Sequence, residues 1–511
     1  MRLDGASYPK PVVDESSVFF NSGEVPRLTI TLGKAEFDSL VKEPRKYVRC
    51  TVTDSETNVY RDVGVKLKAG IGSFRPVTDR PAMTLNFDKY NKHQRFHGLD
   101  KLNLNNSVQD STLCHELLGS LLFRAAGLPV ARVAHARVEL NGKMLGVYVL
   151  MEGLDTGFLR LNFGNGFGTL YDGSFHEITD DNIPKRASSK NNKSDDIKAL
   201  KTALEEKDPV KRRQRLELVL DVDRFLSFMA LEAMACHWDG YCNAKNNYRV
   251  YHDPTTDKLV FIAHGMDQIF GDPNYGLQQG NGWVARALTE TPEDKRQYFL
   301  RVQQLRQSVC KEEMLTNTVL RVAARLKPVF EEFDPNAARG HADAVADLCR
   351  RIAARGVNID RQLGTLLGLP WEPKPPKDWQ TRISEGIPSF DQFKDGDKSR
   401  LRIRVAKNQT VVGSWRTRVI LPQGRYIFDG RVRTVDVPES KDPSQGAALR
   451  ISGGQRRASI TGSTDWRKLE YEINADQGVT DLELVCELRA SRGEAWFDTD
   501  SLRIVRKEGN K

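Results

Sequence analysis

HWDGYCNAKNNYRVYHDPTTDKLVFIAHGMDQIFG, residues 237–271, sets Asp239, Asn246 and Asn247 ahead of one strand-like run and Asp267 behind another. NYRVYHD reads as a strand, Asp253-Pro254 reverses the chain, and LVFIAHGM returns, because Asp and Pro suit tight turns. A hairpin with acids at both outer ends carries them to one side, so Asp239 and Asp267 are expected to share a cleft. Asp and Asn also favour turns for local reasons, by bonding nearby backbone, so these residues gain meaning only from what surrounds them.

Upstream, VDRFLSFMALEAMACHW (222–238) has the pattern of a strongly apolar helix, and helical spacing extends over 197–236 with a break at Asp208-Pro209. The polar stretch 176–196 before it reads as a mobile loop. Further back the pattern is β-rich. PRLTITLG (26–33), RKYVRCTVTD (45–54), RDVGVKLKA (61–69) and PAMTLNFDKY (81–90) read as strands, and the connector GIGSFRPVTDR (70–80) joins the last two. AEFDSLVKEP (35–44) reads as a short helix, and DSTLCHELLGSLLFRAAGLP (110–129) as a longer one with an acidic start and a Gly-Leu-Pro stop. Two alternating runs around Asn141-Gly142 then predict a hairpin, so one helix is inserted into an otherwise antiparallel sheet.

Downstream, 292–368 is helical, LPWEPKPPKDWQ (369–380) reads as a stiff Pro-rich linker, and 381–511 shows short strands with almost no helical period. The expected organisation is an extension over 1–25, a first domain over 26–368 with lobes of about 26–152 and 153–368, the linker 369–380, and a jelly-roll-like β-sandwich over 381–511. The fold class is α+β.

With 39% hydrophobic and 28% charged residues in 511, the composition is that of a globular protein. No run approaches the roughly 18–20 apolar residues that span a bilayer. The first residues lack a signal peptide's apolar core, so the chain either stays inside the cell or has its native start elsewhere, in which case it is secreted or at the surface. A net charge of +9 invites a polyanion partner, yet acids are mixed throughout. The densest basic run, KRRQR (211–215), falls in a Glu-containing helix and reads as a solvated face, which argues against nucleic acid as a partner. Seven cysteines show no CxxC pair and no zinc-finger spacing. Cys236 and Cys242 could bridge only if the Trp238–Gly240 turn brought them close.

The acids and amides of 237–271 suit phosphoryl transfer. That chemistry asks for one carboxylate at the acceptor hydroxyl, and for a second carboxylate with a neutral amide oxygen on the Mg²⁺ that bridges nucleotide phosphates. In protein kinases an Asp, a nearby Asn and the Asp of an Asp-Phe-Gly turn fill these roles around a hairpin.

The motifs VGVKLKAGIGSFR (63–75), FHGLDKLNLNNSVQDSTL (96–113), FRAAGLPVARVAHARVELNG (123–142), LGVYVLMEGLD (145–155), WDGYCNAKNNYRVYHDP (238–254) and FIAHGMDQIFG (261–271) occur in one order. On them the chain, over roughly 26–275, resembles the CotH kinase family, the spore-coat type of atypical protein kinase. The resemblance implies a two-lobed kinase-like fold, binding of ATP with Mg²⁺ or Mn²⁺, and phosphate transfer to Ser or Thr of a protein. It implies Asp239 as the catalytic acid, Asn247 or its neighbour Asn246 with Asp267 as metal ligands, and Gly70, Gly72, Ser73 and Arg75 as the cover over the phosphates. Glu152 would lie at the hinge that meets adenine, and Glu116 would orient the phosphate-binding cation. The family's usual Lys at the start of the strand after the connector is replaced by Arg80, with Lys66 or Lys68 as substitutes, and its Trp-Asp-Leu-Asp turn by His264-Gly265-Met266-Asp267. These departures motivate a second reading: a catalytically impaired kinase-like scaffold that binds a surface partner or glycan through its β-sandwich. His264 is open between a role at the metal turn and a place in the core, whereas Trp238 and Trp283 read as packing.

In 381–511, Trp415, Tyr426, Phe428, Trp466 and Trp496 are open to two readings, core packing and sugar stacking, and GEAWFDTDSLRIV (493–505) resembles the last strand of carbohydrate-binding-like jelly rolls.

Overall fold

The structure, a computed structural model, describes residues 14–507 except 56–57, 69, 71, 180–184, 188–194, 334, 369–372, 374, 396–397 and 407–408. Thus 1–13 of the expected extension, much of the expected 176–196 loop and the start of the expected linker lie outside the described residues. The chain divides into two compact units, one ending at Ile352 and one beginning at Ala353.

The first unit opens with α1 (Glu15–Asn21), which Asp14 caps by accepting the Ser17 N–H at 2.8 Å. Helix α1 is more than an extension: Phe19 and Phe20 pack against the core of the sheet that follows. That sheet comprises β1 (Arg27–Thr31), β2 (Val48–Asp54), β3 (Asn58–Leu67), β4 (Met83–Asn86), β5 (Lys101–Asn105), β6 (Val133–Leu140) and β7 (Lys143–Glu152), with α2 (Lys34–Lys42) after β1 and α3 (His115–Ala125) before β6. The strands close into a barrel in the order β1-β2-β3-β4-β5-β7-β6. Closure comes from a parallel pairing of β1 with β6, in which Leu28 faces Val138 and Ile30 faces Leu140. Sequence alternation predicts the strands; the parallel closure joins segments over a hundred residues apart and has no local signal. Leu28, Val52, Val65, Leu85, Leu104 and Leu150 fill one core with the other inward residues.

Helix α3 begins at His115, later than the expected start at 110. Asp110 explains the delay: its carboxylate accepts from Thr112 N (2.9 Å) and His115 N (3.0 Å), and Leu113 has φ +56°, so 110–114 is a capping loop.

After the barrel come α4 (Thr156–Phe163), β8 (Thr169–Asp172), β9 (Lys185–Ala187), α5 (Asp195–Leu204), α6 (Pro209–Val219), α7 (Val222–Met234), α8 (Tyr241–Ala244), β10 (Tyr248–Asp253) and β11 (Lys258–Ala263). The expected hairpin is β10 and β11, paired from Tyr248↔Ala263 to Asp253↔Lys258, in a four-stranded sheet of order β11-β10-β8-β9. Helix α7 is buried along nearly its whole length. The basic run of α6 is paired, Arg213 with Glu217 and Asp294 and Arg215 with Glu206, as a solvated helix face should be. Helices α9 (Trp283–Ala287), α10 (Pro292–Ser308), α11 (Glu312–Phe333) and α12 (Pro335–Leu367) follow, and the division between units falls within α12.

The second unit carries β12 (Gln380–Glu385), β13 (Ser389–Asp395), β14 (Lys398–Val405), β15 (Val411–Val437), β16 (Gly446–Ile451), β17 (Gly462–Ala490), β18 (Gly493–Asp498) and β19 (Arg503–Arg506). All pairings are antiparallel, and β15 and β17 form one long ribbon whose register shifts between Pro422 and Gly424, between Val432 and Thr434 and between Thr434 and Val437. Inward residues of both halves of that ribbon, among them Trp415, Leu421, Phe428, Val432, Leu484 and Leu488, share one core. The five aromatic residues therefore separate: Trp415, Tyr426 and Phe428 are buried, while Trp466 and Trp496 stay partly exposed.

All seven cysteines are free, so Cys236 and Cys242 do not bridge. No helix among the described residues is long and apolar enough to cross a membrane.

Candidate active site

Helix α7 ends at Met234, and the loop 235–240 that presents Asp239 before α8 is held by Glu232 of that helix. Fully buried Glu232 accepts the N–H of Tyr241 at 3.0 Å on one oxygen and that of Cys242 at 2.9 Å on the other. The approach is so close that a Cβ on Gly240 would stand 2.3 Å from Glu232 Oε1 and 2.7 Å from His237 Nδ1. Only glycine fits there.

Asp239 Oδ2 accepts from Asn247 Nδ2 at 2.7 Å and from Asn246 Nδ2 at 3.1 Å. Asn246 is buried, and its Oδ1 also takes the Phe175 N–H. Asn247 has φ +48°, and its carbonyl accepts the His264 N–H at 3.0 Å, which ties the start of β10 to the end of β11. A Cβ on Gly265, itself at φ +59°, would stand 2.4 Å from Asn247 Oδ1. The hairpin and this glycine thus set the Asp239–Asn247 pair against the turn that carries Asp267.

His237 links the two loops. Its Nε2 donates to the Gly265 carbonyl at 3.2 Å, and its Nδ1 stands 3.5 Å from Glu232 Oε1, at the limit of hydrogen bonding. Burial disfavours its charged form, but the hydrogen bond and charge of Glu232 outweigh that and raise its pKa.

Asp267 is held from the barrel side. Its carbonyl accepts from His115 Nδ1 at 2.9 Å, at the start of α3. One residue on, buried Glu116 receives the Met266 N–H and faces Asp267. Burial and the Asp267 charge push the Glu116 carboxyl upward, against the opposing pull of Lys68 and His237. Asp267 is likewise raised, by burial first and then by Asp110. Two buried acids side by side favour one shared proton or a cation between them. Among the described residues, Glu116 Oε2 has no hydrogen-bond partner.

Lys68 supplies the local positive charge. It follows β3, donates through Nζ to Asn105 Oδ1 at 2.5 Å, and lowers both Glu116 and Asp267. Arg80 points elsewhere: it donates to the Val147 carbonyl at 2.5 Å and lies over the Tyr148 ring. Of Lys66, Lys68 and Arg80, Lys68 is therefore the one whose charge acts on both Glu116 and Asp267. Lys66 sits over Tyr47.

The other expected residues are spread more widely. Ser73 O is held by Asn106 Nδ2 (3.1 Å), and Arg75 turns back on the carbonyls of Gly72 and Phe74. Gly72 has φ +83°, and Gly70 is exposed with open space at its Cβ position. Glu152 is sequestered. It forms a buried two-point pair with Arg132, at 2.6 and 2.9 Å, so its carboxylate is committed to holding the end of β7. Trp238 is 45% exposed, against its expected place in packing.

Glu232, His237, His115 and Asp110 were not singled out by sequence. Glu232 did carry a signal, a carboxylate within the apolar run that ends α7, which is sustained only when the acid is paired.

Mg²⁺ typically binds through one or two protein oxygens and shares the rest of its shell with phosphates and water. Among the described residues no group of three or more His, Cys, Asp or Glu could hold a metal alone. Asn247 and Asp267 offer an amide and a carboxylate oxygen, a donor set that fits a metal shared with phosphates.

A family model described as "CotH kinase protein" matches residues 72–352, more than half of the chain. The chain is similar to "Invasin CotH3" of Rhizopus delemar, 24% identical over 214 residues, covering 37% of this chain and 34% of that protein. It is also similar to "Inner spore coat protein H" of Bacillus subtilis, 24% identical over 262 residues, covering 47% of this chain and 71% of that protein. The chain spans about a third of the length of the first curated relatives it matches. A solved structure titled as TmCBM61 in complex with beta-1,4-galactotriose aligns with 25% of this chain and 88% of its own, at 18% identity and a TM-score of 0.18. From the family match over 72–352, the chain belongs to the CotH kinase family.

Proposed function

We propose that this protein transfers the γ-phosphate of ATP to Ser or Thr of a protein acceptor, with Mg²⁺ or Mn²⁺. In this reading the barrel and the helical region after it act as the two lobes of a kinase-like domain, and the second unit is a jelly-roll-like accessory. The observation that carries the reading is the meeting of Lys68, Glu116 and Asp267 from three separate segments, beside Asp239 with its two asparagines. A structural ion pair would need two of these groups, not a charge-rich set with a buried unpartnered oxygen.

Asp239 lies half-exposed at the loop tip and would accept the hydrogen bond of the incoming hydroxyl and orient it. Asn246 and Asn247 fix the rotamer of that carboxylate. Lys68, steadied by Asn105 and Glu116, would meet phosphate oxygens. Asn247 and Asp267 would hold the metal, which when bound neutralises charge on the phosphates. Raised pKa values at Glu116 and Asp267 suit a site that receives cations, because a bound cation favours both carboxylates in their ionised form.

The named relatives, an invasin and an inner spore coat protein, support a role at a cell or spore surface. The scaffold reading draws on the turn His264-Gly265-Met266-Asp267, in which only one of the two acids of the family's Trp-Asp-Leu-Asp is kept, Gly265 standing in place of the first.

The test is incubation with γ-labelled ATP and Mg²⁺ or Mn²⁺, beside Asp239→Ala and Asp267→Ala. Label transferred by the wild type and lost in both variants, with unchanged circular dichroism, is the expected result. Undiminished turnover by Asp267→Ala overturns the assignment, and absence of metal-dependent ATP binding by calorimetry favours the scaffold.

A further inference from the structure

We infer that Phe175, Trp238 and Trp283 form the acceptor side of the site and take a polypeptide segment that carries uncharged, apolar side chains beside its Ser or Thr. The inference rests on the phosphoryl-transfer reading for the role of Asp239.

The three residues come from separate segments that hydrogen bonds tie to the Asp239 carboxylate and its loop. Trp238 directly precedes Asp239, and its carbonyl accepts from Asn243 Nδ2 at 2.6 Å. The Phe175 N–H donates to Asn246 Oδ1 at 3.2 Å, and Asn246 Nδ2 donates in turn to Asp239 Oδ2. The Trp283 N–H donates to Glu177 Oε2 at 2.9 Å, while Glu177 Oε1 accepts from the hydroxyl of Tyr241, two residues past Asp239, at 2.7 Å. Tyr248 grips the turn 173–176 at both ends: its carbonyl accepts the Gly173 N–H at 3.2 Å, and its hydroxyl donates to the His176 carbonyl at 2.7 Å. A Cβ on Gly173 would stand 2.1 Å from the Tyr248 ring, so this turn is seated directly on it.

On these fixed turns the rings are left open. Phe175 is 72% exposed and Trp238 45%, and Trp283 is partly exposed. The aromatic contacts of this region are made by buried Tyr241, Tyr248 and Phe261. Among the described residues, the three open rings stack neither on one another nor on any other ring, and no cation covers them. Phe175 holds φ +58°, a conformation that a bulky residue keeps only when its surroundings impose it. Apolar side chains grouped in the open on rigid backbone mark a contact surface. The charges around them select what it contacts. Over 172–177, 238–247 and 281–283, Arg249 takes Asp172, and Tyr241 and Trp283 take Glu177, which leaves Asp239 and exposed Lys245 as one acid and one base. A strongly basic or acidic segment finds no matching set of charges there. Rings set apart on three turns suit the successive side chains of an extended segment rather than the single flat face of a sugar ring.

The full chain is assayed with γ-labelled ATP, Mg²⁺ and four Ser-centred peptides that carry Leu, Ala, Lys or Glu on both sides of the Ser. The wild type should use the Leu peptide with a kcat/KM about tenfold or more above the other three, the discrimination that apolar contacts supply. Phe175→Ala and Trp238→Ala should each reduce that preference to less than about threefold, whereas Phe167→Ala, a 74% exposed ring before the far end of β8, should leave it within about twofold. Phe175→Ala keeps the test decisive if Trp238→Ala displaces Asp239. Fluorescence anisotropy of the same peptides separates binding from transfer. Binding of the Leu peptide that is lost in Phe175→Ala, with no label transferred to any peptide, overturns the phosphoryl-transfer reading and upholds the docking site. Equal use of all four peptides, a preference unchanged in both variants, faster labelling of neutral dextran, or neither label nor binding would each overturn the inference.

Discussion

Lys68 and Arg80 are two cations within one stretch of sequence, and their surroundings differ. Lys68→Met removes the charge that acts on Glu116 and Asp267 and should lower kcat by about 10²–10³-fold, the usual cost of losing one preorganised electrostatic group. Arg80→Met, which removes only contacts to Val147 and Tyr148, should change kcat by less than about threefold on the same scale. Steady-state kinetics on the pair checks both. Glu152→Ala tests a third residue: stranding buried Arg132 should cost about 3–5 kcal/mol in urea unfolding. The affinity for ATP of the folded fraction should stay close to that of the wild type. Asp239 and its asparagines were legible in sequence because they lie within nine residues of one another beside a hairpin. The choice between Lys66, Lys68 and Arg80 was not legible, since it depends on how β3 and β4 meet in the barrel, and nothing in the local pattern encodes that.

Among elements, α7 does more than fill the core. Through Glu232 it grips the loop that presents Asp239, and through His237 it passes that grip to the Asp267 turn. Glu232→Gln keeps the shape but replaces one acceptor with a donor facing an amide. It should lower kcat about tenfold or more, the effect expected of a misplaced catalytic group, with KM for ATP little changed. Gly265→Ala should cost about 1–3 kcal/mol for its positive φ and crowd Asn247 besides; a thermal melt and a turnover assay read the two effects separately. The hairpin itself was plain from alternation and Asp-Pro. The start of α3 was misread because Asp110 looks like a helix N-cap and in fact caps from four residues outside, a distinction made by backbone geometry at Leu113.

At the scale of the whole molecule, barrel strand β6 is tied through His135 both to α11 and to the loop before α3. Arg325 of α11 donates to His135 Nδ1 at 3.2 Å, so Nε2 must carry the proton it gives to the Leu113 carbonyl at 2.7 Å. Burial, with Arg325 adding to it, pushes this imidazole down to about 4. A depressed His contributes stability that is complete above its unfolded value, about 6.5, and is lost as pH falls toward 4. His135 therefore adds on the order of 1–3 kcal/mol of acid sensitivity across that window. Denaturant unfolding at neutral pH and near pH 5 should show a smaller stability difference for His135→Gln than for the wild type. The strand-rich second unit was readable from composition and turn spacing, whereas barrel closure in the first was not. One further contact reaches beyond this molecule. Met266 lies so close over Gly119 of α3 that a Cβ there would stand 2.5 Å from its sulfur. The two positions therefore cannot drift independently during evolution. A relative that bears any side chain at the position of Gly119 should carry something slimmer than Met opposite it, and an alignment in which bulk appears at both would show that α3 has shifted away from the turn.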